Sequence, residues 1–254
     1  MKPRERQLAI LELLQSRGRC VVSNLARYFD TTETTIRKDL TILENDGSVV
    51  RTHGAVVLNR EYSELTFYNR NNVNLDKKKL IASAASCLIN DGDSMIFDVG
   101  STVLQLVPYV SNFRNLTIMT NSLYIINALV ELPGDHNIHV PGGSYRRKSS
   151  SFHGSLAEET FKHFKFNKLF IGADGVDLTT GVTSFFEGHE VSRAMCDAVE
   201  EIILLVDSSK FGRKGPNVVC SVEKVGTIIT DKDITESCFL DLRKKGVKVL
   251  IARD

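Results

Sequence analysis

The chain has 254 residues, 42% of them hydrophobic and 25% charged, with 17 Gly, 5 Pro and 5 Cys. That length suits one or two domains at roughly 150 residues each, with enough chain to bury cores without disulfides or metal, and the composition excludes disordered, collagen-like and mini-protein classes. The net charge of +1 hides an asymmetry: residues 1–60 carry ten Lys/Arg against seven Asp/Glu, while the remainder is slightly acidic, so a basic head on a near-neutral body is expected to be the part that meets a polyanion.

In chain order the first pattern is helical. Leu8, Ile10, Leu11 and Leu14 form one apolar stripe that ends at Gly18. Ser23 is an N-cap candidate for a short helix through Leu25, Ala26, Tyr28 and Phe29. After a turn at Asp30-Thr31, Thr32 opens a third helix in which Ile36, Leu40 and Leu43 recur at i, i+4 and i+7, closing at Gly47. Residues 48–58 read as a small hairpin around Gly54. Residues 59–76, polar and Asn-rich, read as a linker between a domain at 3–58 and another at 77–254. From there a helix over 77–90 precedes apolar runs at 94–98, 116–120, 138–140, 168–173, 202–207, 227–230 and 247–252. These alternate with helical stretches at 103–110, 123–131, 156–164, 191–198 and 234–245. Short apolar strands alternating with helices predict a mainly parallel α/β sheet covered on both faces. No apolar run approaches the ~18 residues of a membrane span. The first residues lack the apolar segment and cleavage site of a secretory signal. Five scattered cysteines without a C-x-x-C pair fit a reducing cytoplasm.

Helix, short helix, turn, helix and hairpin is the order of a winged helix-turn-helix, whose third helix enters the major groove of double-stranded DNA. With Ile36, Leu40 and Leu43 turned inward, Thr32, Thr34, Thr35, Arg37, Lys38 and Thr41 are candidates to meet bases or phosphates. Ser23 joins them at the preceding helix, and Arg51 and His53 at the hairpin tip. A solvated Thr/Arg/Lys face is the plainer reading of any one such helix; the order of elements, the basic bias and the wing together favour DNA. The spacing Arg6-x-x-x-Ile10-x-x-x-Leu14, seventeen residues, then Thr32-x-x-Thr35-Ile36-Arg37-Lys38-Asp39-Leu40 resembles the DNA-binding signature of the DeoR family of bacterial repressors. Arg51-Thr52-His53-Gly54-Ala55 resembles the family's wing, with Ala55 in place of its second glycine. Asp39 resembles the family's acidic position, where a local salt bridge or an orienting contact to Arg37 stands level with a direct role on DNA.

Several short motifs in the body fall at predicted strand ends, where open α/β sheets bind ligands. Asp98-Val99-Gly100-Ser101-Thr102 and Thr120-Asn121-Ser122 each run from a strand into a helix, offering amides and hydroxyls to an anion. Pro141-Gly142-Gly143, Gly172-Ala173-Asp174-Gly175 and Asp207-Ser208-Ser209-Lys210-Phe211-Gly212 end three more strands. Each alone is an ordinary turn composition; five on one sheet edge, with a lysine, predict a site for a small anionic ligand. The body also resembles the DeoR-family sensor domain, a relative in fold of the sugar-phosphate isomerases. That resemblance implies a phosphate loop at Gly100, Ser101 and Thr102, an acid facing sugar hydroxyls at Asp174, and a cation at Lys210. Ser151–Gly154 and Asp207–Cys220 resemble members of the family that respond to a polyol, which implies glucitol, free or 6-phosphorylated, as a candidate effector.

Other candidates are weaker. His153, His163 and His189 are isolated, His136 and His139 have no third ligand, and no metal site or cofactor is expected. Ser149–Ser151 lacks the context of a nucleophile. Arg146-Arg147-Lys148 is a phosphate aid or a solvated charge run, Cys196 reads as core, and Lys77-Lys78-Lys79 reads as the start of a solvated helix, with neutralisation of DNA phosphate next to the linker as the alternative. The expected function is an operator-binding, homo-oligomeric (dimeric or tetrameric) repressor released by a phosphorylated sugar or polyol, with no membrane partner and no enzyme activity. The alternative is a sugar-phosphate isomerase with a fused DNA-binding head, for which Asp98, Asp174 and Glu187 are the available acids. A constitutive DNA-binding protein whose body only oligomerises is the third option.

Overall fold

The computed structural model describes residues 2–45, 48–52, 54–58, 67–185 and 188–253. The expected features at Gly47, His53 and Glu187, and the linker stretch 59–66, lie outside them. The chain forms two compact units, 1–73 and 74–254.

The first unit contains α1 (Pro3–Arg17), β1 (Arg19–Val21), α2 (Val22–Tyr28), α3 (Glu33–Asn45), β2 (Val49–Thr52), β3 (Ala55–Leu58) and α4 (Phe67–Asn72). Gly18 donates its N–H to the Leu14 carbonyl and closes α1 as the apolar stripe predicts. The Thr32 hydroxyl accepts from the Thr35 amide at 3.2 Å, the N-cap arrangement that opens α3. Ser23 lies inside α2, which starts one residue earlier. The hairpin β2–β3 gains a third strand that the pattern did not show, β1, giving the order β1-β3-β2. One core unites the elements: Ile10, Leu11 and Leu14 of α1, Leu25 of α2, Ile36, Leu40 and Leu43 of α3, and Val49 and Val56 of the wing.

The second unit begins with α5 (Leu75–Ser86), so the last residues of the expected linker, 67–72 and 75–76, are helical. Its main sheet holds β4 (Ser94–Phe97), β5 (Thr117–Thr120), β6 (Asn137–His139), β9 (Phe166–Ile171), β12 (Val199–Leu205), β14 (Thr227–Thr230) and β15 (Lys248–Ile251). All neighbours are parallel, in the order β15-β14-β12-β9-β4-β5-β6. Around it run α6 (Ser101–Leu104), α7 (Leu123–Val130), α8 (Ser155–Lys162), α9 (His189–Asp197) and α10 (Glu236–Lys244). The strands alternate between two cores: Leu169, Ile171, Ile202 and Leu204 face one, Phe170, Ile203 and Leu205 the other. Burial on both faces is what makes the central strands read as apolar runs, while the edge strands β6 and β15 are partly exposed. Five short strands were not visible in the sequence: the hairpin β7 (Ser144–Arg146) and β8 (Ser151–His153), and an antiparallel sheet of β10 (Gly175–Asp177), β11 (Gly181–Ser184) and β13 (Asn217–Cys220). The helix expected over 103–110 splits into α6 and a 3₁₀ segment, Val107–Asn112, because Pro108 has no N–H to continue the ladder.

Candidate functional site

In the first unit, α3 presents the face that its register predicts. Ile36, Asp39, Leu40 and Leu43 are buried, Thr32, Thr34, Arg37, Lys38 and Thr41 are exposed, and Thr35 is half-buried. Arg37 pairs with Glu33 one turn earlier, at 3.1 Å, with both side chains about half exposed. Such a pair is worth about 0.3–0.5 kcal/mol, so the guanidinium is readily exchanged to a stronger anion. Arg51 is turned toward α3 rather than away from the wing. Its Nη2 donates to the Arg37 carbonyl at 2.8 Å and to the Thr41 hydroxyl at 2.6 Å, and its Nε lies 3.2 Å from Glu44. The Thr41 hydroxyl in turn donates to the Arg37 carbonyl at 2.8 Å. Thr41 and Arg51 therefore brace the wing against the helix. Asp39 is buried and accepts from Arg6 Nε at 2.6 Å and Gln7 Nε2 at 3.0 Å. The structure gives Asp39 a salt bridge, though not the local one expected: its partner Arg6 lies on α1, 33 residues away.

In the second unit, the parallel order sets the C-terminal ends of β12, β9, β4 and β5 side by side. The loops beginning at Asp207, Gly172, Asp98 and Asn121 therefore share one edge. The chain builds β4, β5 and β6 outward in one direction, then returns to lay β9 on the other side of β4. The β4/β9 boundary is thus a topological switch point, the kind of position where open α/β sheets bind ligands, and it is flanked by the loops that follow β4 and β9. Here the two loops touch. A Cβ on Gly100 would lie 2.9 Å from Val103 Cγ2, forcing Val103 to shift, and at an ordinary contact distance of 3.5 Å from the Gly172 amide nitrogen. Ser101 and Thr102 are buried in α6, a helix of a single turn; an anion there would rest on hydroxyls and amides more than on a helix dipole. Asp98 accepts from the Ser192 hydroxyl of α9 at 3.2 Å. Asp174 accepts from the Ser184 hydroxyl and the Phe185 amide, both at 3.0 Å.

The remaining predicted residues divide by role. Thr120, Asn121 and Ser122 are fully buried. Thr120 accepts from the Ser122 amide at 3.1 Å, and Ser122 caps α7 by accepting from the Ile125 amide at 3.4 Å. Gly142 and Gly143 carry the loop after β6. A Cβ on Gly143 would fall 2.4 Å from the His153 carbonyl oxygen, so this loop lies directly against β8. Lys210 is half-buried at the end of the 3₁₀ turn Ser208–Lys210. Asp207 caps that turn, accepting from the Ser209 amide at 3.0 Å. Burial alone would raise the Asp207 carboxyl; the Lys210 ammonium, the Ser209 bonds and Lys78 outweigh it and hold the group ionised, below its ordinary range.

Sequence reasoning missed a cluster beside this turn. Lys78 is only 4% exposed, which corrects the expectation of a solvated helix start at 77–79. The signal was present: Lys78, Ile81, Ala82 and Ala85 share the buried stripe of α5 at i, i+3, i+4 and i+7. Lys77 Nζ lies 2.9 Å from Asp231, 2.7 Å from Asp233 and 3.0 Å from the Ser208 hydroxyl. Asn74 Nδ2 donates to Asp207 at 3.2 Å. Asp231 also accepts from the Ser208 amide at 2.6 Å. The first turn of α5 is thereby clamped to the turn that carries Lys210. Among the described residues no His/Cys/Asp/Glu group could hold a metal ion, and no helix is long and apolar enough to cross a membrane.

Comparison with known proteins bears on both units. Residues 6–62 match the model of the DeoR-like helix-turn-helix domain, and residues 73–232 that of the DeoR C terminal sensor domain. The chain is 34% identical over 249 residues to the HTH-type transcriptional regulator YulB of Bacillus subtilis, covering 96% of this chain and 95% of that one. It is 33% identical over 249 residues to the transcriptional repressor AccR of Agrobacterium fabrum, covering 96% of each. It is 28% identical over 239 residues to the lactose phosphotransferase system repressor of Staphylococcus epidermidis, covering 93% and 92%. Among solved structures, ribose 5-phosphate isomerase A of Methanocaldococcus jannaschii aligns over 56% of each chain, with a TM-score of 0.40 and 20% identity.

Proposed function

The chain belongs to the DeoR family of transcriptional regulators, and from that premise we propose that it represses a sugar or polyol operon and leaves its operator when a phosphorylated sugar or polyol binds the second unit. The exposed face of α3, with Arg37 and Lys38 beside Thr32 and Thr34, supports the operator reading. Ser23, Thr35 and Thr41 flank that face, and His53 of the wing remains a candidate contact. Paired recognition helices must span half-sites about 34 Å apart, so the working form is a homo-oligomer, a dimer or tetramer.

The single observation that carries the effector reading is the switch-point edge, where Gly100 meets Gly172 and both loops stand in line with Lys210. Gly100, Ser101 and Thr102 would hold the phosphate with Lys210, while Asp98, an acceptor, would face the ligand's hydroxyls. Asp174, Asn121, Gly142 and Gly143 would border the rest of the ligand, with Thr120 and Ser122 shaping the loop. Glucitol 6-phosphate is the first compound to try, because Ser151–Gly154 and Asp207–Cys220 resemble polyol-responsive members of the family. The isomerase alternative needs a carboxylate free to act as base. Asp98 is bound by Ser192 and Asp174 by Ser184 and Phe185, Glu187 lies outside the described residues, and the transcriptional regulators that the chain matches favour binding over turnover.

Lys210→Ala is expected to raise the effector concentration for half-release of operator about tenfold, the loss of one charge-assisted contact. A release titration equal to wild type removes Lys210 from the site. An effector shifts the population only if it prefers the DNA-free arrangement, so something must carry the state of the Lys210 turn to the chain leading from the first unit. The clamp from Asn74 and Lys77 onto Asp207, Ser208 and Asp231 supplies that link. Lys77→Met is expected to leave operator affinity and effector affinity within about twofold while effector-driven release is largely lost. Release by Lys77→Met at wild-type effector concentration rejects the clamp as the link.

A further inference from the structure

Ser149, Ser151 and His153 are buried, polar and unused by the reading above. Their position follows from backbone pairing. Phe152 donates its N–H to the Asn121 carbonyl at 2.8 Å, Leu123 donates to the Ser150 carbonyl at 2.9 Å, and Ser122 bridges Ser151. Asn121 Nδ2 donates to the Phe152 carbonyl at 3.1 Å. Strand β8 is thus laid along the loop after β5, and the close approach of Gly143 fixes the loop after β6 on it as well. The His153 ring meets the Gly188 backbone at the start of α9, the helix whose Ser192 holds Asp98. His153 therefore stands where the loops after β5 and β6 and the start of α9 converge.

The chemistry of this corner differs from that around Lys210. Ser151 Oγ and His153 Nε2 share a hydrogen bond of 2.6 Å, and Ser151 donates to Ser149 Oγ at 2.8 Å. Arg146 Nη1 donates to the same Ser149 oxygen at 3.5 Å and anchors the outer end of the chain. Burial, and then the Arg146 charge, push the His153 imidazole down to about 4, so it is neutral at cellular pH and both gives and takes hydrogen bonds. Asn121 is 0% exposed, and its Oδ1 has no hydrogen-bond partner among the described residues. A buried acceptor left unpaired costs free energy, and a hydroxyl donor placed beside it would remove that cost. Neutral groups that donate and accept in series complement a chain of C–OH groups.

We propose that Asn121, Ser151 and His153 form a hydroxyl-reading subsite that makes the effector site select polyhydroxylated phosphates over other phosphate-bearing anions. The inference rests on the effector reading above and adds the residues that set its selectivity. Two probes separate the parts: inorganic phosphate, which needs only the Lys210 end, and hexitol 6-phosphates (glucitol, mannitol and galactitol), which need both. Calorimetric titration of the full chain is run on wild type, Ser151→Ala and His153→Gln, with thermal melting to confirm that each variant is folded. The expected result is inorganic phosphate affinity unchanged within about twofold, and the tightest hexitol 6-phosphate weakened about tenfold or more in both variants. Equal losses for the two probes, or no loss for the hexitol phosphate, overturn the subsite while leaving the effector site in place. A wild-type chain that binds neither probe overturns the effector reading and the subsite together.

Discussion

Replacing Asp39 by alanine is expected to destabilise the first unit by about 3–5 kcal/mol, the cost of stripping a buried cation of its partner. Asp39 accepts from Arg6 at 2.6 Å and Gln7 at 3.0 Å, and the Arg6 side chain is itself only 11% exposed. Without the carboxylate, the guanidinium stays in the α1–α3 interface and loses its 2.6 Å ion pair. A unit of some 70 residues rarely has more than about 5 kcal/mol in total, so the loss is close to complete unfolding. The two units have separate cores, and calorimetry of the full chain should show the transition of the first unit moving while that of the second holds. The paired replacement Arg6→Met with Asp39→Leu is expected to recover most of the loss, since apolar groups of similar volume often replace a buried ion pair without penalty. An Asp39→Ala chain that melts like wild type would show that the pair carries no stability.

Arg37→Ala is expected to weaken specific operator binding by about 1–3 kcal/mol, the range for one bidentate base contact, and to leave effector affinity unchanged. The wild-type pairing of Arg37 with Glu33 is exposed and weak, so its loss costs the fold little. Salt dependence separates the two ways in which Arg37 could act. A residue that reads a base relaxes specificity at one position, whereas a phosphate contact lowers affinity across all sequences and reduces the salt slope by about 1. Arg51→Ala is expected to behave differently, because its guanidinium braces Arg37 and Thr41 from the wing; it should loosen binding through geometry and leave base preference intact. Operator binding unchanged by Arg37→Ala counts against α3 as the reading helix.

The legible parts of this protein were those with a long, regular local pattern. Seven apolar runs predicted seven parallel strands, and all seven are present; the central strands β4, β5, β12 and β14 are the plainest, because burial on both faces leaves them few polar residues. The spacing Ile36, Leu40, Leu43 likewise placed Arg37 and Lys38 outward on α3. The antiparallel strands β7, β8, β10, β11 and β13 escaped notice because three or four residues cannot establish a period, and Gly175 and Gly181 break two of them at their first residue. His153 looked isolated for the same reason: its hydroxyl partners are local, but the loops that enclose it come from β5, β6 and α9.

The sequence by itself determined that there are two units, which faces of their helices are buried, and which strand ends carry glycines, hydroxyls and a lysine. The buried charges Arg6 and Lys78 lie on apolar stripes with Ile10 and Leu14 or with Ile81 and Ala85, but their burial went unread, and Lys78 was expected to be solvated. What only the tertiary structure decided is which partner each group meets. Asp39 is 33 residues from Arg6, and Asp231 is 154 residues from Lys77. A local period records whether a side chain faces core or water, because that depends on the geometry of its own helix or strand. The identity of the neighbour depends on strand order and crossover, which bring the ends of β12, β9, β4 and β5 to one edge and set the switch point between β9 and β4.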